Sequence, residues 1–500
     1  MKRRVFLNVM PLGGLGIILS PSPAYSLISK NQFDKIKQIF LKIGRYSSID
    51  LPEGKHIPFG WPAMGIAPGT SVILKPEEKL HQANSSLLIT VALETWDKKL
   101  LRVSIPNTGI YLGEMEISYS SVLVPYELKI DPKYARQINR HGLEIKLEAE
   151  APFWFFDQQD AKTDNRLFLP HLVVSENETG TTADFLDCFL SVNSIQAFGW
   201  REGTVLDGLW QIYSRKKEKR ALQTINRHFS LFFDDHQNLR YETAHSVLKE
   251  NQIDGIESTI PFATLARLQP RHPILKTVVN AWDAYIEKKN GMVIEGSTIT
   301  AEGCYTVAYP MAVIGNAWQQ DSLKNKALQQ LKHRFVLIEN GDFYLRYNNG
   351  NRTYRNWARG AAWFLIGFAR TISELDHALP DREYIDKFKE GVDITVAMQR
   401  NDGLWSCFMH EDVLADTSGS AGIAAAILTG INSGFLPGSY RQVAEKCWNG
   451  LQKYITPEGF LKGVAQDNRG GIELQQRNYR VIAQMGMGLM AQLYAARKMA

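Results

Sequence analysis

The spacing of hydrophobic positions changes twice along the chain and divides it into a β-rich part and a longer helical part. Residues 31–47 carry apolar side chains three and four positions apart, which predicts a helix. Glycine and proline then interrupt the sequence, so residues 27–84 are predicted to form that helix and an irregular linker. Over residues 85–178, short runs of β-branched and aromatic residues alternate with polar turns, which is typical of a β-sandwich.

From residue 179 onward the pattern becomes one of paired helices. One helix of each pair is apolar with many small residues, and the next is amphipathic and charged. The predicted helices are 183–193, 204–214 with 219–234, 255–268 with 273–288, 305–318 with 322–338, 357–372 with 382–399, 418–428 with 439–454, and 480–498. Such hairpins stack so that each buries its neighbour's apolar face. We therefore predict a mainly α protein in which a smaller β-sandwich precedes an (α/α)6 toroid at residues 179–500, with an open solenoid as the alternative.

Composition and cysteine spacing exclude several classes of function. The net charge is +5, and no cluster of Lys and Arg is interleaved with aromatic residues, so we expect no nucleic-acid partner. The cysteines lack CxxC spacing, and no second Cys/His pair joins Cys407 and His410, so neither a metal site nor a cofactor is predicted. The sequence leaves open whether two of the four cysteines form a disulfide. The 11 Trp, 19 Tyr and 23 Phe residues slightly favour a carbohydrate ligand.

The first 26 residues have the features of an export signal. Residues 2–4 are positively charged, residues 15–20 are modestly apolar, and residues 24–26 offer small side chains for cleavage. The run RRVFL at residues 3–7 is similar to a twin-arginine motif, and an ordinary secretory signal is the alternative. No later run approaches the ~18 apolar residues of a membrane span. We expect an exported, periplasmic protein without a membrane span.

Two carboxylates lie ahead of neighbouring predicted inner helices. Asp254 precedes the helix at 255–268, and Glu302 precedes the helix at 305–318. The starts of the inner helices share one rim of a toroid, so we predict that this pair faces across a cleft and is catalytic. Glycoside hydrolysis usually needs two carboxyl groups, one protonated and one ionised. Each residue also has a purely structural explanation, as a helix N-cap or as a favourable charge at a helix N-terminus.

A third polar segment places a cation between two indoles. Arg359 lies between Trp357 and Trp363 at the start of a predicted inner helix. The indoles can stack on a pyranose ring while the guanidinium binds a carboxylate through two parallel hydrogen bonds, so the trio predicts a subsite for an acidic sugar. Asp416 precedes a further helix of small residues and is predicted to join this subsite. A buried pair between Arg359 and Asp416 is the alternative.

Several motifs identify a family resemblance. The chain reads WARGAAW at residues 357–363, DGLW at 402–405, ADTSGSAGIAAAILTGINSGFL at 415–436 and YPMAVIGNAWQQD at 309–321. From about Asp254 to its end, it resembles the unsaturated uronyl hydrolases of glycoside hydrolase families 88 and 105, whose patterns are W-x-R-G-x-G-W and DGLW followed by ETSxSA. The resemblance implies an (α/α)6 toroid that removes a terminal unsaturated uronic acid from oligosaccharides made by lyases.

The chain also departs from this family pattern. Glu302 occupies the place of the family's catalytic aspartate, and Asp254 corresponds to its second aspartate. The family's histidine after the third hairpin has no counterpart, because residues 343–346 read FYLR. Hydration of the C4–C5 double bond is therefore not the only reaction that fits, since an intact glucuronide suits the same carboxylate pair.

We predict an exo-acting glycoside hydrolase that removes a terminal uronic acid of the glucuronate type from glycans or oligosaccharides. Arg346 and Tyr305 are predicted to bind this substrate together with the Arg359 segment. An unsaturated uronyl hydrolase acting on lyase products is the second interpretation. The third is a polysaccharide lyase, for which Tyr305, Arg346, Tyr347 and Tyr354 offer proton-transfer groups, or an inactive glycan-binding protein.

Overall fold

The structure is a computed structural model that describes residues 36–44, 49–157, 166–375 and 381–497. The predicted export signal lies outside the described residues. A strand-rich N-terminal domain precedes a longer helical domain, so the protein is a mixed α and β structure rather than the predicted mainly α one. Among the described helices, none combines the length and the apolar character that crossing a membrane requires.

Antiparallel strands build the N-terminal domain. They are β1 (Ile36–Ile43), β2 (Ala63–Ile66), β3 (Ser71–Pro76), β4 (Ser85–Thr90), β5 (Thr95–Ile105), β6 (Ile110–Ser120), β7 (Pro125–Ile130), β8 (Leu143–Glu148), β9 (Phe153–Phe156) and β10 (His171–Ser175), with helix α1 (Ala135–His141) between β7 and β8. The main sheet has the order β6-β5-β8-β3-β1-β10-β4-β7, and β2 pairs with β9 separately. Its outermost strands, β6 and β7, contact each other. The predicted sandwich is thus corrected to one sheet that curls nearly into a barrel.

The helix and linker predicted for residues 27–84 are wrong where the structure describes them. Residues 36–40 of β1 pair with β10, and residues 41–43 pair with β3. Ile39 and Leu41 are buried, and exposure alternates along the strand with a period of two. The spacing of apolar residues fitted a helix equally well, but hydrogen-bonding partners on both sides favour the strand. The predicted irregular linker likewise contains β2 and β3.

The helical domain alternates long helices with short connecting strands. The helices are α2 (Thr182–Phe189), α3 (Trp200–Lys216), α4 (Lys219–Phe232), α5 (Pro261–Leu268), α6 (Ile274–Ala284), α7 (Tyr309–Ala317), α8 (Asp321–His333), α9 (Ala358–Glu374), α10 (Arg382–Ala397), α11 (Thr417–Asn432), α12 (Arg441–Leu451), α13 (Gly471–Gln476) and α14 (Gln484–Ala496). The short strands are β11 (Arg240–Glu242), β12 (Leu248–Glu250), β13 (Ile299–Thr300), β14 (Ile338–Glu339), β15 (Asp342–Asn348) and β16 (Asn351–Arg355).

The inner helices form a closed ring. Helices α3, α5, α7, α9, α11 and α14 each contact the next, and α14 returns to contact α3. Helices α4, α6, α8, α10, α12 and α2 pack against these six, one against each. The contacts confirm the predicted ring of helix pairs and exclude the open solenoid. The segments that lead into the inner helices therefore meet at one rim.

The ring closes where α14 and α3 approach each other at glycine. A Cβ atom on Gly488 would lie 2.5 Å from the carbonyl oxygen of Thr204, and one on Gly208 would lie 2.6 Å from the carbonyl oxygen of Gly488. The two backbones are thus in direct contact, and any side chain at these positions would separate the helices. Both glycines adopt ordinary helical conformations. Glycine is therefore needed at these positions for the close packing of the helices and not for its backbone freedom.

Replacing Gly488 with alanine is expected to destabilise the protein. In a helix interior, alanine is normally more favourable than glycine by about 1 kcal/mol. Here the added methyl would press on the α3 backbone, and overpacking typically costs about 1–3 kcal/mol. We expect a lower thermal midpoint for Gly488→Ala and an unchanged one for Gly438→Ala, whose Cβ would meet nothing within 4 Å. An equal or higher midpoint for Gly488→Ala would contradict the close approach.

Candidate active site

One cleft at the rim of the ring gathers most of the residues singled out from the sequence. Its cavity volume is about 100 Å³. It is lined by Trp200, Glu257, Ile260, Thr300, Glu302, Tyr305, Thr306, Arg346, Trp357, Arg359, Trp363, Asp467, Asn468 and Arg469. We call residues 465–470, which run between the ring and the N-terminal domain, the strap. The cleft thus combines helix starts from around the ring with the strap.

A buried arginine fixes the backbone that carries Glu302. Glu302 lies between β13 and a π-helical turn, Cys304–Ala308, that leads into α7. Such turns are frequent at functional sites. Arg334 is 1% exposed, and its Nε donates to the carbonyl oxygen of Thr300 at 3.0 Å. A Cβ atom on Gly303 would lie 2.0 Å from this guanidinium, so glycine is required beside Glu302.

The two oxygens of the Glu302 carboxyl have different surroundings. Asn468 Nδ2 donates to Oε1 at 3.3 Å. Oε2 is buried, and within the described residues it has no hydrogen-bond partner. Burial raises the pKa of Glu302, and the nearby guanidinium of Arg346 counteracts part of that rise. A buried acceptor without a partner is costly, so Oε2 is suited to receive a proton or a hydrogen bond from a ligand.

Glu257 is the second carboxyl of the cleft. It lies in a 3₁₀ turn, Ile256–Thr259, just ahead of α5. Burial, followed by repulsion from the Glu302 carboxylate, raises the pKa of Glu257 to about 7. Both carboxyl groups line the cleft, and burial together with the Glu302 charge disfavours ionisation of Glu257, so Glu257 is the group that keeps its proton near neutral pH. The cleft can therefore offer a proton donor and a proton acceptor at once.

The predicted pairing of Asp254 with Glu302 is wrong. The Asp254 side chain is 45% exposed, and its Oδ1 lies 3.8 Å from Lys249 Nζ, outside the cleft. Gly255 follows with φ +76°, a backbone conformation that favours glycine. Glu257, two residues further on, reaches the cleft instead. The sequence pointed to the segment that reaches the cleft, but the structure places Glu257 there and not the predicted Asp254.

Aromatic rings form one wall of the cleft. Trp363 stacks on Tyr305, with ring centroids 5.8 Å apart, and meets Trp200 edge to face at 5.6 Å. The Tyr305 hydroxyl donates to Asp207 Oδ2 at 2.8 Å in the interior of the ring, which fixes its orientation. Trp363 is nearly buried, whereas Trp200 is partly exposed and offers a face to a sugar. Trp200 is the first residue of α3, and Trp357 directly precedes α9. These matching positions at the starts of two inner helices are the signal by which the sequence could have identified Trp200.

Arg359 lines the cleft but holds the strap. It is 2% exposed and lies over the ring of Trp357 at 4.8 Å. Its Nη1 donates to the carbonyl oxygen of Ala465 at 2.7 Å, and its Nη2 donates to that of Gln466. Both terminal nitrogens of Arg359 already donate to carbonyl oxygens of the strap. The binding of a substrate carboxylate by Arg359 therefore stays a prediction. The structural role is clear.

Asp416 does not reach the cleft, which corrects its predicted role in substrate binding. It is fully buried and caps α11, accepting from the backbone amide of Ser418 at 3.0 Å. The same oxygen accepts from the amide of Ala465 at 3.1 Å. Asp416 and Arg359 therefore fix the same residue of the strap, one at its amide and one at its carbonyl group. The two side chains are therefore linked through Ala465 and not by the direct ion pair that was the alternative.

The strap adds groups that the sequence did not identify. Asp467 pairs with Arg201, which outweighs the effect of burial and lowers the pKa of Asp467, so this carboxyl is ionised and unsuited to donating a proton. Arg346 Nη2 donates to Asn468 Oδ1 at 3.2 Å, so Asn468 bridges Arg346 and Glu302. Arg346 is partly exposed. The polar turn shortly before the last inner helix was the sequence signal that could have identified these strap residues.

The described residues contain no group of three or more His, Cys, Asp and Glu side chains arranged to hold a metal ion. The four cysteines are all buried, and none forms a disulfide. The lining of the cleft presents carboxyl, guanidinium, amide and aromatic groups.

Comparisons with known proteins agree with this architecture. The model of Glycosyl Hydrolase Family 88 matches residues 175–499. A family 105 glycoside hydrolase from C. acetobutylicum is 19% identical, with a TM-score of 0.55 over 63% of this chain and 97% of that one. A possible family 105 member from Salmonella enterica is 18% identical, with a TM-score of 0.52 over 64% and 84%. A polysaccharide lyase is 20% identical, with a TM-score of 0.50 over 63% and 96%. At these identities the structures share the fold. No curated protein matches the sequence.

The raised pKa of Glu257 makes stability depend on pH. Its folded-state pKa of about 7 exceeds the usual 4.5, so the folded protein binds more protons than the unfolded chain between these values. This residue therefore lowers the free energy of unfolding as pH rises through that window. Glu257→Gln cannot ionise and is expected to gain stability relative to wild type between pH 5 and pH 8, as measured by urea unfolding.

Asp254→Asn is the matched control, because this carboxyl is exposed and lies in the same segment. We expect it to follow the wild-type pH dependence. If Glu257→Gln behaved in the same way as Asp254→Asn, the placement of Glu257 beside Glu302 would be contradicted.

Proposed function

The chain belongs to glycosyl hydrolase family 88, and from that premise we propose that it removes a terminal uronic acid from oligosaccharides by hydrolysis. The observation that carries the proposal is that Glu257 and Glu302 line one cleft, where burial and the Glu302 charge raise the pKa of Glu257. A protonated and an ionised carboxyl are what this chemistry usually requires. Families 88 and 105, which the sequence resembles, are those of unsaturated uronyl hydrolases, so an unsaturated uronide is the first substrate proposed.

The cleft suits an acidic sugar. Trp200 and Trp363 provide aromatic surface for the apolar face of a pyranose. Arg346 is partly exposed and is the guanidinium best placed to receive the uronate carboxylate in a two-pronged geometry. Arg469 is exposed at the edge of the cleft and adds positive charge. These groups bind and orient the terminal residue against the two carboxyl groups.

On an unsaturated uronide, the carboxyl pair would add water across the C4–C5 double bond. Glu257 donates its proton to C4, and Glu302 takes a proton from the water whose hydroxyl bonds to C5. The resulting hemiketal opens to a ketone at C5, and the hemiacetal left at C1 becomes an aldehyde as the remaining saccharide departs as an alcohol. The unpartnered Oε2 of Glu302 supports its role as the acceptor.

A saturated glucuronide is the second candidate. The same pair would protonate the glycosidic oxygen from Glu257 and activate water for attack at C1 through Glu302. The segment at residues 343–346, which lacks the histidine of the family pattern, favours this reading. The two candidates use the same groups and differ in which carbon atom receives the hydroxyl.

Incubation with three substrates tests the proposal. We expect an unsaturated uronyl disaccharide to lose the absorbance of its conjugated double bond. Release of free uronic acid from a saturated glucuronide, without that loss, would identify the second candidate. Glu257→Gln and Glu302→Gln should each lower the rate by roughly 10²–10⁴-fold, because a general acid or base is lost, whereas Asp254→Asn should stay near wild type.

Two results would contradict the proposal. One is a gain of absorbance on an intact uronate polymer, which indicates a lyase. The other is near wild-type turnover in both glutamine variants, which would remove the carboxyl pair from the chemistry.

Arg346→Lys tests recognition of the sugar carboxylate. Lysine keeps the positive charge but lacks the planar fork that binds a carboxylate through two bonds. We expect kcat/KM to fall at least tenfold on the uronide and much less on its methyl ester. Arg352→Lys is the control, since Arg352 lies on the same hairpin and pairs with Glu339. An unchanged ratio of uronide to ester activity in Arg346→Lys would assign the carboxylate to another residue.

A further inference from the structure

The N-terminal domain touches the cleft through the strap. This domain precedes the part of the chain that the family model matches, which begins at residue 175. The strap lies between the two domains: its 3₁₀ turn, Asn468–Gly470, contacts β6 of the N-terminal domain, while Asp467, Asn468 and Arg469 line the cleft. A domain outside the family match is thus in contact with groups at the active site.

Gln466 connects the two domains within one residue. Its side-chain Nε2 donates to the carbonyl oxygen of Ser118 at 2.8 Å and to the hydroxyl of Tyr126 at 3.3 Å, both in the N-terminal domain. Its own carbonyl oxygen accepts from Arg359 and from Gln475, the latter at 3.0 Å, both in the helical domain. Gln466 is 8% exposed, so these bonds are largely shielded from water.

Two further contacts hold the other end of the strap. The guanidinium of Arg469 lies 4.9 Å from the ring centroid of Trp96, which begins the long strand β5. A Cβ atom on Gly470 would lie 3.1 Å from the ring of Tyr119, so the strap backbone rests directly on β6. The strap is therefore anchored on the N-terminal domain at both of its ends.

The strap in turn controls the surroundings of Glu302. Asn468 donates to Glu302 Oε1 at 3.3 Å and accepts from Arg346 at 3.2 Å, and its carbonyl oxygen accepts from the Tyr354 hydroxyl at 2.6 Å. A hydrogen bond to the ionised form of a carboxyl favours that form. Any displacement of the strap would withdraw Asn468 from Glu302 and release Arg346.

We propose that the N-terminal domain is a positioning element of the active site, and that Gln466 is the residue through which it holds Asn468 against Glu302. The catalytic consequence rests on the proposed function, whereas the structural one does not. Misplacement of a catalytic constellation by about 1 Å can cost on the order of 10²-fold in rate. The domain is thus required for more than stability.

Gln466→Met tests the proposal, because methionine has a similar size and no donor for Ser118. We expect kcat to fall at least tenfold. The acidic limb of the pH–rate profile should move to higher pH, because a Glu302 without the Asn468 bond is harder to ionise. Backbone amides of residues 465–470 should also exchange hydrogen faster. Trp96→Leu, which changes only the N-terminal domain, should produce the same three effects more weakly.

Arg477→Gln is the control. It breaks the 3.0 Å ion pair with Glu116, which joins the domains without involving the strap. We expect its kcat, pH profile and strap exchange to match wild type. The proposal is overturned if Gln466→Met keeps wild-type exchange and acidic limb, or if Arg477→Gln changes them equally. A wild-type protein inactive on all three substrates would refute the proposed function alone, and strap exchange in Gln466→Met would still decide the positioning role.

Discussion

Everything at the cleft depends on how closely α14 packs against α3. Gly488 and Gly208 let the two backbones touch, and this contact closes the ring. Closure brings the segment before the last inner helix beside the start of the first one. Arg201 and Asp467, 266 positions apart in sequence, form a nearly buried ion pair as a result. A ring left open by one side chain at this contact would separate the strap from the carboxyl pair.

The acidic groups of the cleft differ in pKa because of their surroundings and not because of their residue type. Asp467 lies against Arg201, so its pKa is lowered and it stays ionised. Burial, followed by the charge of Glu302, raises the pKa of Glu257 to about 7. Glu302 is partly buried, with one oxygen bound by the strap and the other, a buried one, without a partner among the described residues. Pushing the pKa values of neighbouring carboxyl groups apart is how a single site supplies both an acid and a base.

The sequence predicted the ring because each inner helix is so apolar that only a neighbouring helix can cover it. It failed where distant contacts decide the outcome. The strand β1 carries apolar spacing that also fits a helix, and its two sheet partners settle the choice. Asp254 and Glu257 share one polar segment, and only the folded chain shows that Glu257 lines the cleft while Asp254 lies outside it. The strap joins the site through contacts with the ring and with the N-terminal domain, which connect residues far apart in sequence.

The carboxyl pair is the feature from which the proposed chemistry follows, and its protonation can be observed without a substrate. Infrared difference spectra between wild type and Glu257→Gln isolate the carbonyl stretch of a protonated Glu257. The structure predicts a protonated carboxyl band at pH 6 that disappears with a midpoint near pH 7, and that disappears at lower pH once Glu302→Gln removes the neighbouring charge. A band that titrates near the usual 4.5 in wild type would contradict the coupled pair.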